Sequence, residues 1–176
     1  MKTLIVVSHP NLKDSVVNKR WIEELKKYPD LYTVHDLYQS YPDGVIDIEK
    51  EQALIEQHGN LVLQFPLYWF NCPPLLKKWI DEVFTYGWAY GSTSKHALKD
   101  RKISLSVSVG ISEDDFVENG RYDYSLEQVL RPFEMTAKYV QADYTAFYAF
   151  YGAESDLSAE RVEDSVTGYL DYLSAL

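Results

Sequence analysis

Leu61–Phe84 reads LVLQFPLYWFNCPPLLKKWIDEVF and changes character twice. Leu61 to Phe65 is a short apolar run of the length of a buried strand. Pro66-Leu67-Tyr68-Trp69-Phe70-Asn71 then sets three aromatics in a row on a segment that no regular element accommodates. Pro73 and Pro74 suit a first helical turn, where a missing N–H costs nothing. Leu75, Leu76, Trp79, Ile80, Val83 and Phe84 follow at helical spacing. Strand, aromatic loop, helix is the unit from which open α/β sheets build ligand crevices, at the carboxyl ends of their strands. Three adjacent aromatics in such a loop suit a flat apolar ring, or else serve as core or interface filler.

Outward from this stretch, strands and helices alternate along the chain. Thr3–Val7 is predicted as the first strand, followed by a polar loop to Ser15, where Asp14 or Ser15 caps the next helix. Val17, Trp21, Leu25 and Tyr28 mark one face of that helix, and Pro29-Asp30 ends it. Residues 31–37 alternate as a strand, 38–47 form a Tyr/Pro/Gly loop, and 48–58 a helix stopped by Gly59. The helix opening at Pro73 is expected to reach about Tyr86, before a long connection to Lys102 headed by GWAYGSTS. Strand four is 103–109, an acidic loop spans 110–123, and a helix with Pro132 inside it spans 125–139. Strand five is 144–150 and the closing helix 158–173, with Val162, Val166, Tyr169, Leu170 and Leu173 on one face. Five strands alternating with helices imply an α/β, doubly wound parallel sheet covered on both faces. Right-handed crossovers make 2-1-3-4-5 the expected order, with the ligand crevice between strands one and three. Its walls are then the loops 9–18, 66–71 and 110–124.

Composition bounds what the crevice serves. The 176 residues are expected to form one domain, 1–176, globular at 46% hydrophobic and 25% charged. Fifteen Tyr and four Trp exceed what a core alone uses and suggest stacking surfaces or a subunit interface. A net charge of −10 weighs against nucleic acid as partner. Cys72 is the lone cysteine, so an intramolecular disulfide and Cys-ligated metal chemistry are excluded and a cytoplasmic location is expected. The apolar start Leu4–Val7 is too short for a signal segment, and no run approaches the roughly 20 residues of a membrane span.

The motifs carry two readings each. The first loop lacks GxGxxG and the Walker lysine. It offers His9, Ser15 and Asn18 around a helix N-terminus, a site for a phosphate; Ser15 serves equally as a plain cap. Trp88 and Tyr90 lie between glycines as further stacking candidates or as a simple helix stop. Tyr122 and Tyr124 are phenol donors over a ligand or surface residues, and Glu113-Asp114-Asp115 reads as a solvated face. His9, His35, His58 and His96 show no metal-ligand spacing, and no nucleophile triad appears.

Taken together, VSHPNLKDSVVNKR (7–20), LYQSYPDGVIDIEKEQ (37–52), FPLYWFNCPPLLKKWIDEVFTYGWAYG (65–91) and RPFEMTAKY (131–139) resemble the flavodoxin-like NAD(P)H:quinone oxidoreductases. The match is to their short bacterial branch of general-stress oxidoreductases and ancillary subunits of glutathione-gated potassium-efflux systems. The resemblance covers nearly the whole chain. It implies a homodimer binding FMN, with FAD left open, that passes a hydride from NAD(P)H to a quinone. Carried over by position, His9, Ser15, Val17 and Asn18 hold the flavin phosphate. Pro66, Leu67, Tyr68, Trp69 and Phe70 line the ring and ribityl chain, and Ser108, Val109, Gly110 and Ile111 pass its other side. Tyr122 and Tyr124 fall where relatives place polar groups over the flavin, the candidate catalytic positions; no metal is implied. Where relatives carry a Thr-Thr-Gly-Gly-like turn this chain has Ser-Val-Gly-Ile-Ser, which bears on ring contacts and acceptor preference. Two other functions stay open: a regulatory ancillary subunit docking peripherally on a potassium-efflux transporter, and a flavodoxin-type one-electron carrier.

Overall fold

In the computed structural model, which describes residues 2–176, five parallel strands form one sheet in the order β2-β1-β3-β4-β5. They are β1 Thr3–Val7, β2 Tyr32–Asp36, β3 Asn60–Pro66, β4 Lys102–Ser108 and β5 Asp143–Phe150. The helices are α1 Val17–Leu25, α2 Leu37–Ser40, α3 Ile48–Glu56, α4 Pro74–Val83, α5 Leu126–Tyr139 and α6 Ala159–Ser174. Fold class and strand order are those expected.

The central strands are apolar on both sides because both faces are covered. Leu4 and Val6 of β1 enter one core with Leu61, Leu63, Trp79, Leu105 and Phe133, under α3, α4 and α5. Ile5 and Val7 enter the other with Trp21, Val62, Val166 and Tyr169, under α1 and α6. Trp21 Nε1 donates to Ser165 Oγ at 3.0 Å, and Arg20 pairs with Glu163 at 2.7 Å, tying α1 to α6. Val7 registers with Gln64, and Pro66 with Ser108. The three strands therefore release their chains at one edge, where the loops converge.

Three local expectations are corrected. The segment after β2 is not all loop: the Asp36 carboxylate accepts from the Tyr38 and Gln39 N–H groups at 3.0 and 3.2 Å and starts the one-turn helix α2. Helix α1 stops at Leu25, so Tyr28 leaves the buried face and stands exposed. Helix α4 ends at Val83, short of Tyr86, because Phe84 already departs from helical ψ. Pro132 sits inside α5, where Thr136 Oγ1 donates to its carbonyl at 2.9 Å.

Candidate functional site

The segment after β3 closes as a two-residue hairpin. Tyr68 N–H donates to the Asn71 carbonyl at 2.7 Å and Asn71 N–H returns to Tyr68 at 2.9 Å. The two central residues, Trp69 and Phe70, have φ of +48° and +61°. That geometry favours Asn-Gly; holding L-aromatics in it costs about 1–2 kcal/mol each. Trp69 is 94% exposed, so no core packing offsets the cost. Strain kept at an exposed aromatic pair points to function. The Trp69 and Phe70 N–H groups, directed out of the turn, find no acceptor among the described residues.

Across the edge, the loop after β1 winds one 3₁₀ turn, Leu12–Asp14, before α1. Of the two expected caps, Ser15 takes the role: its Oγ accepts from Asn18 N–H at 3.2 Å. Asp14 instead accepts from Asn11 Nδ2 at 2.8 Å. The Val16 and Val17 N–H groups are left without partners among the described residues, at the positive end of the helix. Burial lowers the His9 pKa from the usual 6.5, outweighing the opposing Asp36 carboxylate. The ring is thus neutral at pH 7. Its Nδ1 accepts from Asn11 N–H at 3.1 Å, which leaves the proton on Nε2 as a donor.

Beneath lies a buried polar chain. Asn18, 1% exposed, donates from Nδ2 to Ser108 Oγ at 2.7 Å, and its Oδ1 accepts from Gln64 Nε2 at 3.2 Å. Gln64 Oε1 in turn accepts from Tyr169 OH at 2.9 Å. The Asn18 side chain, expected at the phosphate, is thus turned inward and committed to the floor. It ties α1 to β3 and β4, leaving the Ser108 hydroxyl proton unspent.

Between these parts runs an open cleft of about 340 Å³. His9, Ser15 and Val17 line one end, and Pro66, Leu67 and Tyr68 another wall, with Ser108 and Gly110 alongside. Trp69 and Phe70 stand outside these walls. Val109 is not a wall residue: its side chain is in the core and its N–H donates to Phe150. Ile111 packs against the same core, and its carbonyl accepts from Gly152. Tyr122 sits edge-on to Phe70 with centroids 5.0 Å apart, whereas Tyr124 is 60% exposed and off the cleft.

A fourth wall was missed: Ala153, Glu154 and Leu157, from the loop after β5. Its N–H groups at Gly152, Ala153 and Glu154 donate to Ile111, Val109 and Gly110, lacing it to the loop after β4. A Cβ on Gly110 would meet Glu154 Cδ at 2.7 Å, so glycine allows this contact. The adjacency of β5 to β4 in the expected order was the signal available.

Other candidates fall away. Trp88 is buried, with Nε1 donating to Glu56 at 2.6 Å. Burial pushes the Cys72 thiol up to about 11, unsuited to nucleophilic use. Among the described residues no His/Cys/Asp/Glu group could hold a metal.

A family model described as the flavodoxin-like fold matches residues 1–174. The chain is 45% identical, over 99% of both sequences, to a Bacillus subtilis (strain 168) protein named uncharacterized NAD(P)H oxidoreductase YrkL. It is 41% identical to the glutathione-regulated potassium-efflux system ancillary protein KefG of Cronobacter sakazakii, covering 77% of this chain and 73% of KefG. Among solved structures, general stress protein 14 of Treponema denticola, in complex with FMN, superposes with a TM-score of 0.93 at 52% identity, covering 99% of each chain.

Proposed function

The chain belongs to the flavodoxin-like family of NAD(P)H oxidoreductases, and from that premise we propose that it is an FMN-dependent NAD(P)H:quinone oxidoreductase. One observation carries the reading: a single cleft joins a cluster of unspent donors to Tyr68, at the base of the hairpin whose strained tip is Trp69 and Phe70. The residues fit the group. The His9 Nε2–H, the Val16 and Val17 N–H groups and the Ser15 and Ser108 hydroxyls suit a phosphate. Pro66, Leu67 and Tyr68 offer an apolar wall to a flat ring. A relative carries FMN.

FMN, when bound, supplies the hydride chemistry. The protein orients it and sets the local field. The free Trp69 and Phe70 N–H groups are donors that favour negative charge at the ring edge, at no reorganisation cost because the hairpin holds them fixed. Tyr122, edge-on to Phe70, carries a phenol beside the hairpin and is assigned the orienting of the acceptor. Tyr124, standing in solvent, takes no role. An open aromatic site admits nicotinamide and a planar quinone in turn, with no side-chain nucleophile.

We place a second copy of the chain against the groove between α4 and α5, lined by Ile80, Phe84, Tyr90 and Phe133 and flanked by exposed Met135 and Tyr139. The purified protein is expected to be yellow, to sediment as a dimer, and to oxidise NADH or NADPH when 1,4-benzoquinone is added. A colourless protein that binds no added FMN overturns the proposal, and monomer mass overturns the pairing. A one-electron carrier would not accept hydride directly from either nucleotide.

The similarity to KefG favours a second role, as an ancillary subunit docked on a potassium-efflux transporter. Among the described residues no helix is long and apolar enough to cross a membrane, so such a role is peripheral. Co-purification with an integral membrane transporter supports it, and failure to co-purify counts against it.

A further inference from the structure

We propose that Arg121 takes a phosphate of the incoming nicotinamide dinucleotide, an inference that rests on the NAD(P)H reading above. The chain is strongly acidic, with 27 Asp and Glu against 17 Lys and Arg. A polyanionic co-substrate therefore needs a local exception to the overall field. Of the loops leaving the carboxyl ends of the five strands, only two carry a cation: Lys13 after β1 and Arg121 after β4. Lys13 belongs to the turn before α1, beside the donors assigned to the flavin phosphate. Arg121 stands at the other side, next to Tyr122 and the aromatic hairpin.

Three observations make Arg121 more than a surface charge. Its own loop contains Glu113, Asp114, Asp115, Glu118 and Asp123, yet among the described residues no carboxylate lies within 4.0 Å of its guanidinium. Instead the guanidinium carbon sits 5.5 Å from the centre of the Tyr122 ring. That ring is edge-on to Phe70 at 5.0 Å and 5.7 Å from Phe116. The cation is thus connected through one aromatic ring to the hairpin.

The loop's course is also defined. Tyr122 N–H donates to the Asp115 carbonyl at 3.3 Å, and a Cβ on Gly120 would meet the Asp114 carbonyl at 2.6 Å. An unpaired guanidinium held on a tight loop beside a stacking site is a preorganised phosphate partner, and its planar fork suits phosphate better than a lysine would.

The dinucleotide has two phosphate sources, the pyrophosphate and, in NADPH, the 2′-phosphate. The test is steady-state kinetics of the FMN-loaded protein with NADH and with NADPH, for wild type and Arg121→Gln. Calorimetric binding of 2′,5′-ADP to both proteins is measured beside it. Arg131→Gln on α5 is the control for a generic loss of one positive charge. Arg121→Gln is expected to raise KM about tenfold, acting through KM rather than kcat, and to weaken 2′,5′-ADP by a similar factor. It should also flatten the rise of KM with ionic strength. Arg121→Lys should recover part of the loss.

A KM effect confined to NADPH assigns the 2′-phosphate; an equal effect on NADH and NADPH assigns the pyrophosphate. Unchanged KM for both nucleotides together with unchanged 2′,5′-ADP affinity overturns the proposal. So does an Arg131→Gln effect of equal size. A protein that oxidises neither nucleotide but binds 2′,5′-ADP through Arg121 keeps the phosphate site and removes the oxidoreductase reading, so the two failures are distinguishable.

Discussion

Ser15→Asp is expected to strip the protein of FMN while leaving its fold intact. Ser15 Oγ caps α1 by accepting from Asn18 N–H, and Asp caps as well as Ser. The helix therefore keeps its start. The same substitution adds a carboxylate to the wall assigned to the phosphate. Two like charges about 4 Å apart at an effective dielectric near 20 repel by about 4 kcal/mol, or roughly 1,000-fold in affinity. Flavin-fluorescence titration of the apoprotein reads the loss, and circular dichroism confirms the helix content. Ser15→Ala is the contrast: it loses the cap, about 1 kcal/mol, but repels nothing. Full FMN occupancy in Ser15→Asp would put the anion somewhere other than this loop.

The second large effect lies away from the cleft. Glu51, 0% exposed, accepts from Tyr41 OH at 2.5 Å and Trp79 Nε1 at 2.7 Å, with His35 Nε2 at 2.9 Å. It joins β2, α3 and α4, and α4 is the helix that the aromatic hairpin opens into. Burial pushes the Glu51 pKa up, but the adjacent His35 ring and the hydrogen bonds from Tyr41 and Trp79 outweigh it, and the net shift is downward from 4.5. A carboxyl with a lowered folded-state pKa contributes stability that is fully present above its unfolded value and is lost as pH falls through the folded one.

Glu51→Gln keeps the shape but faces the Tyr41 and Trp79 donors, beside the His35 ring, with an amide that is itself a donor at one end. The expected cost at pH 7 is about 3 kcal/mol. The gap from wild type should begin to narrow below pH 4.5, where the unfolded wild-type chain takes up the proton, and close only as pH falls through the lower folded-state value. Urea denaturation at pH 7 and pH 4 measures both points. Equal stability at pH 7 would mean that the buried carboxylate contributes nothing net.

The parts of this molecule that were legible in its sequence are those where residue type and spacing alone decide. Leu61–Phe65 and the doublet Pro73-Pro74 bracket an irregular segment whatever its detailed path, and α1, α5 and α6 announce themselves by period and by Ser15, Ser125 and Ser158 at their starts. What was hidden depends on direction. Asn18 is a polar residue at a helix start, and nothing in its identity says that the amide turns in to Ser108 and Gln64 rather than out to a ligand. Trp69 and Phe70 occupy a turn whose usual residues are Asn and Gly, so the positive φ values carried no compositional signal. Helix α2 is a single turn made by one carboxylate, too short for a period to register. The wall after β5 follows from strand adjacency, but its contacts run through backbone N–H groups that every sequence shares.

The central claim is that one cleft holds a flat ring at the aromatic hairpin and its anionic tail at the start of α1. Titrating the apoprotein with FMN and, in parallel, with riboflavin tests both halves at once, because riboflavin has the ring without the phosphate. Quenching of flavin fluorescence by stoichiometric FMN, with riboflavin bound at least about 100-fold more weakly, is the expected result. Equal affinity for the two flavins, or no quenching by either, would contradict it.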